Sequence, residues 1–285
     1  MNAILMLTIT TSLKILHWFS APSLQRLAFV ILTGIATSLW LSFYSGEAPT
    51  VAEFDAIPTI LCIGLGLILL LKSKLIFSQI SDNLFVIAIA ILLTFPSFQS
   101  TLLSLLLLAI LIGLRSSNKN IPLRTCALIL CVCAIQALTV FYTLKWFTEP
   151  VLAIDASLVA SILSLATGYG YAIENVYFGP SDHQVLMLRN CSSLPALLSA
   201  FTCWFAIARW HNISFSSREC IVISALLVCS LGLNLLRLFS MGLTMQWHAW
   251  WHSPEGENTY LFTSSALTLS IIFWGVHYAK TEHTR

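Results

Sequence analysis

The sequence predicts an all-α, polytopic integral membrane bundle of about eight transmembrane helices, with one further helix at the outer interface. Three observations predict it. Hydrophobic residues make up 58% of the 285 and charged ones only 9%, against about 25% charged in soluble chains. Apolar stretches approaching the ~20 residues that cross a bilayer core recur along nearly the whole chain. The basic residues between those stretches fall into a pattern that can alternate sides. The chain reads as one membrane domain over 1–285, with N-terminal spans in 1–144, a motif-bearing region with an outer-face helix and loops in 145–265, and a last span at 259–279. A formal net charge of +2 is too small to point to nucleic acid.

Taken in order, MNAILMLTITTSLKILHWFSAPSLQR has Lys14 inside its apolar part and no early basic region, unlike a cleaved signal peptide. Leu7, Leu13, Leu16, Trp18 and Phe19 suit an interfacial amphipathic helix on the cytoplasmic face. Eight segments then approach spanning length: 24–44, 56–72, 83–96, 98–114, 123–143, 192–210, 219–240 and 259–279. The third and fourth are short and meet at FPSFQS, where Pro96 limits the helix before it. A ninth segment, 150–168, carries Asp155, Ser157, Ser161 and Ser164.

Charge decides whether that ninth segment crosses. With Arg26, Lys72, Lys74, Arg115, Lys119 and Arg124 in the cytoplasm, the first five spans alternate and acidic GEAPTVAEFD lies outside. From the other end, Lys280, Arg285, Arg209 and Arg218 belong inside, which puts the 244–258 loop and Cys191 outside. The two halves agree only if 150–168 stays on the outer face as an interfacial or re-entrant helix. The expected location is the inner (cytoplasmic) membrane, with the C-terminus in the cytoplasm.

Eight cysteines do not imply disulfides here, because six of them lie in apolar runs as small hydrophobes. Cys131 and Cys133 point to different helix faces and have no partner pair, so no metal site is expected, and no cofactor loop is present. Cys191 differs: in MLRNCSSLPALLSAF it stands where a polar stretch becomes an apolar one. By the derived topology it starts one span at the outer face. Arg237 lies near the outer end of the next, in SLGLNLLRLFSMG, and His248 and His252 lie in the outer loop MQWHAWWHSPEGENTY.

These residue types suit thiol acyl transfer. A thiol attacks as thiolate, and the partial positive charge of a helix N-terminus favours the anion. Ser192 or Ser193 can cap that helix, and Pro195 is tolerated in its first turn. A histidine can take the thiol's proton and return it to a leaving amine. An arginine offers a fixed fork of donors to a developing oxyanion. Asn234, one turn before Arg237 on the same face, could orient the guanidinium or bind substrate backbone. Each residue also has a plainer reading: an inert thiol, a snorkelling arginine, and an aromatic interfacial belt in WHAWWH.

Cys191 with the following SSL, NLLR at 234–237, and a His four residues before a Gly in HSPEG resemble the exosortase/archaeosortase family. The motifs of those multi-pass enzymes look like C-S-G-L, N-x-x-R and a loop His. ATGYGYAIENVYFGPSDHQVLML is similar to the Gly-containing outer stretch ahead of the family's cysteine. The resemblance covers 145–265, and the N-terminal spans match only as generic membrane helices.

The resemblance implies Cys191 as nucleophile, Arg237 as oxyanion or substrate-positioning group and His252 as proton carrier. His248 is the alternative; His252 has the spacing to Gly256 and lies nearer the last span. Ser193 stands where the family has glycine, which would narrow the site or change the recognised signal. Asp182 and His183 either contribute or form a polar turn. The implied activity is that of a membrane cysteine protease-transpeptidase. It would cleave C-terminal sorting signals of the PEP-CTERM type (motif, transmembrane helix, basic tail) through a thioester. Its partners would be those substrate proteins and the lipid bilayer. Two other classes compete. A permease could use the stripe Ser230, Asn234, Arg237 and Met241 with Glu174 and Asp182, although no internal repeat or paired broken helices accompany it. A non-catalytic assembly component is the third.

Overall fold

The computed structural model describes residues 24–44, 56–73, 80–95, 97–117, 119–180 and 183–280. The amphipathic N-terminal segment, the acidic GEAPTVAEFD loop, Lys74, Pro96, Asp182 and Arg285 lie outside the described residues. The first helices are α1 (Leu24–Tyr44), α2 (Ala56–Lys72), α3 (Ile80–Thr94), α4 (Phe98–Arg115) and α5 (Ile121–Trp146). Their ends fall within a few residues of the apolar segments read from the sequence, because polar caps and charges bound those runs. At the start of α4, for example, the Ser97 hydroxyl accepts the Ser100 N–H, and Arg115 closes its last turn.

Next come α6 (Thr148–Thr167), three short strands β1 (Tyr171–Ile173), β2 (Val176–Phe178) and β3 (Gln184–Leu186), and a 3₁₀ turn (Arg189–Cys191). The chain ends in α7 (Ser193–Trp210), α8 (Ser217–Leu243), the short α9 (Met245–Trp251) and α10 (Pro254–Lys280). Among the described residues, α4, α5, α6, α8 and α10 are long and apolar enough to cross a membrane, and α1, α2 and α3 hold shorter apolar stretches. The protein is therefore a multi-pass helical membrane protein. By length and composition α6 belongs with the spanning helices. Only the balance of flanking charge set it apart in the sequence.

Contacts divide the chain into two units, 1–48 with 62–134, and 49–61 with 135–285. In the first, the Ser38 and Thr101 hydroxyls meet at 3.0 Å, tying α1 to α4. Arg115 at the end of α4 pairs at 3.4 Å with Asp82 in the first turn of α3.

The second unit carries the motifs. One of its cores packs Leu152, Ala156, Val159 and Leu163 of α6, at helical spacing, against Tyr177, Cys191, Leu238 and Met241. The other gathers Trp204, Val222, Leu226 and Ile272 from α7, α8 and α10. At one end these three helices are clamped by polar contacts. Arg209 donates to Glu219 at 2.5 Å, Arg218 to the Tyr278 carbonyl at 3.1 Å, and Lys280 lies 3.1 Å from His211. Cys191, Asn234 and Tyr260 belong to the opposite ends of the same helices.

The stretch before Cys191, for which the all-α expectation gives no regular structure, folds as an antiparallel sheet in the order β1-β2-β3. Alternation explains it: Tyr177 and Val185 are register partners and both face the core, at 0% and 1% exposure. Tyr171 and Phe178, also paired, stack at 4.4 Å. The sheet is held on the end of α8. Tyr177 donates its hydroxyl to the Leu238 carbonyl at 2.6 Å, and His183 Nε2 lies 3.1 Å from the Met241 carbonyl.

Candidate active site

The backbone around Cys191 is fixed from three sides. Its own N–H donates to the Leu188 carbonyl at 2.8 Å, closing the 3₁₀ turn. Ser192 then caps α7, accepting the Leu194 N–H at 3.2 Å, so of the two serines proposed as caps it is Ser192 that serves. Asn234 reaches across from α8 and donates one amide nitrogen to the Cys191 carbonyl at 3.0 Å and to the Ser193 hydroxyl at 2.9 Å. Asn234 thus holds the site's own backbone. Ser193 is buried and bonded in this network.

The thiol itself is 1% exposed. It donates weakly to the Asn190 side-chain oxygen at 3.8 Å. A helix terminus alone favours the thiolate, but the structure reverses that expectation. Burial pushes the thiol above its ordinary 9.0; contacts with Leu188 and the charge of Arg237 pull it back in part, and Asp155 adds to the rise. The terminus has little to offer because its first donors are engaged, the Ser193 N–H by Asp155 at 2.8 Å and the Leu194 N–H by Ser192. Modification of Cys191 by a small disulfide-forming reagent is therefore expected to keep accelerating above pH 9.0. A plateau near neutral pH, read at the Cys191 peptide by mass spectrometry, would mean an activated thiolate instead.

Arg237 sits one turn beyond Asn234 and is 6% exposed. Its guanidinium lies over the Tyr260 ring at 4.7 Å, and its Nε has no hydrogen-bond partner among the described residues. Among the described residues no carboxylate forms a salt bridge with it. Tyr260 also donates to the Asn234 oxygen at 3.3 Å, completing a set from α8 and α10. The charge of Arg237 acts on Cys191, on Tyr177 and on His252.

The imidazoles form a row. His248 lies 5.0 Å from His252 and 5.6 Å from His183, between ring centroids. Among the described residues no such group is arranged to hold a metal ion. Partial shielding first, and the Arg237 charge second, hold His252 below its ordinary 6.5, with Glu257 opposing. For His248 the causes are shielding, then His252 and His183. Both rings are thus neutral at pH 7. No hydrogen bond joins either ring to the Cys191 sulfur; His252 reaches the site through the field of Arg237.

Gly256 has a packing role that its spacing in HSPEG did not reveal. A Cβ there would press into the Trp250 carbonyl, so glycine lets α10 start directly beneath α9. Trp251, from the aromatic run, donates to the Ser240 hydroxyl at 2.5 Å, and Ser240 donates to the Arg237 carbonyl at 2.7 Å. That run therefore anchors α9 to the helix bearing Arg237.

Two site residues were missed in the sequence. Asp155 is visible in the sequence only as a charge in an apolar stretch. Tyr260 carried no signal at all, being one aromatic among many near a helix start. No protein-family model, curated protein or solved structure matches the chain.

Proposed function

We propose that this protein is a membrane cysteine peptidase-transpeptidase of the exosortase/archaeosortase kind, cutting C-terminal sorting signals at the non-cytoplasmic face. In this reading the chain crosses the inner membrane about eight times, α6 lies at the outer interface and the C-terminus is cytoplasmic. The observation that carries it is Arg237. A buried guanidinium without an ion pair among the described residues is costly, and its field reaches both a thiol and an imidazole. Such a donor suits a negative charge that exists only during reaction.

The steps follow. The Cys191 sulfur attacks the scissile carbonyl carbon as its proton passes to the neutral imidazole, His252 in preference to His248. Arg237 receives the oxyanion. When the tetrahedral adduct collapses, the C–N bond breaks and the imidazolium returns the proton to the departing amine. The thioester is then released to an acceptor nucleophile or to water. Because the resting thiol is buried and protonated, the substrate must open the turn at Cys191 before attack.

Replacing Cys191 with alanine tests the proposal. Co-expressed with a reporter ending in motif, apolar helix and basic tail, the variant is expected to leave the reporter full-length in the membrane. Unchanged processing at normal expression of the variant overturns the reading.

One observation favours a carrier instead. A cavity of about 330 Å³ lies between α7, α8 and α10, lined by Ser199, Ser230, Ser264 and Thr268 among apolar side chains. A carrier keeps transport when Cys191 is replaced and loses it when Arg237 is.

A further inference from the structure

We propose that Asp155 is a positioning residue for Cys191: its carboxyl group caps the helix that follows the thiol and, at the alkaline pH where the thiol titrates, sets a negative charge that opposes the thiolate. The catalytic meaning of this rests on the peptidase reading above. Asp155 lies in apolar α6 at 5% exposure. A buried carboxylate requires partners, and this one finds them on a single stretch of chain. It accepts the Ser193 N–H at 2.8 Å, with the Ser193 and Ser192 side chains close enough to favour its charged form. The Ser193 hydroxyl accepts from Asn234 at 2.9 Å. Two helices grip the backbone on either side of the sulfur, α8 at the carbonyl of residue 191 and α6 at the N–H of residue 193.

The charge has its own effect. Around Cys191 stand Arg237 from α8, Asp155 from α6 and Tyr177 from the sheet, with His252 acting from the turn after α9 through Arg237. Tyr177 is protonated, held above its ordinary range by burial and by the sulfur. Arg237 favours the thiolate and Asp155 opposes it. With the first N–H groups of α7 already bonded, Asp155 is the charge that opposes the thiolate, and a single substitution removes it.

The test uses the full chain in lipid nanodiscs, wild type and Asp155→Asn. Modification by methyl methanethiosulfonate is followed from neutral to alkaline pH at the Cys191 peptide by mass spectrometry. Asparagine keeps an acceptor for the Ser193 N–H, so the turn is retained and the charge is lost. The midpoint of the profile is expected to move to lower pH by about half a unit, giving roughly threefold faster modification at a fixed pH below it. Asp155→Ala, which also removes the acceptor, is expected to show the same displacement together with faster modification at every pH. An unmoved midpoint in both variants overturns the proposal, because a uniform rise in rate reports only a loosened turn. No substrate enters the measurement. A negative result here therefore leaves the peptidase reading standing, and failure of that reading leaves this result standing.

Discussion

Exchanging Arg237 for glutamine is expected to slow signal processing by about 10²–10³-fold, the usual loss for one oxyanion donor. The protein should still fold. Removing one member of a buried ion pair strands its partner, but Arg237 makes no salt bridge among the described residues, so no carboxylate is left behind. The guanidinium rests on Tyr260 and leaves Nε without an acceptor, an arrangement that costs stability in the resting state. Glutamine removes the charge while keeping much of the aliphatic stem. Thermal melting of the variant should then match or exceed wild type while reporter cleavage collapses. Arg237→Lys keeps the charge without the planar fork and should fall between the two. Full cleavage activity in the glutamine variant would remove Arg237 from the reaction and with it the main support for acyl transfer.

The second large effect is structural. Gly179→Ala should destabilise the protein by about 3 kcal/mol, at the upper end of what overpacking costs. A Cβ at Gly179 would run into the Gly242 carbonyl, and one at Gly242 would meet the Tyr177 ring and Leu163. The atoms in the way of a Cβ at Gly179 all belong to the Gly242 backbone of α8, which cannot swing aside as a side chain can. The sheet would have to lift away, weakening the Tyr177–Leu238 and His183–Met241 contacts and loosening the floor beneath Cys191. Gly232 in the same helix is the control: nothing lies within 4 Å of a Cβ there, and alanine suits a helix interior better. A lower melting temperature for Gly179→Ala and an unchanged or higher one for Gly232→Ala is the expected pair. Equal melting of both variants would show that the sheet is not anchored as described.

The helices were legible because long apolar runs bounded by charges leave few alternatives in a membrane. The ends of α1 and α2 coincide with the segments read from hydropathy, and α5, α8 and α10 extend them by a few residues. The sheet was not legible, since three-residue strands such as Val176–Phe178 give too short an alternation to stand out from a loop. At the site, residue types and helix order brought Cys191, Asn234 and Arg237 into one region. Who bonds to whom was beyond the sequence. Asn234 holding the Cys191 carbonyl, and Asp155 reaching Ser193 from 38 positions earlier, are products of packing that no local spacing encodes.

The dry setting of Cys191 also bears on how the protein survives its surroundings. In the proposed topology Cys191 lies at the outer face, where thiols meet oxidants and mixed disulfides, and it is the exposed thiolate that they consume. A sulfur that stays protonated and shut away until a substrate arrives is spared that damage between turnovers.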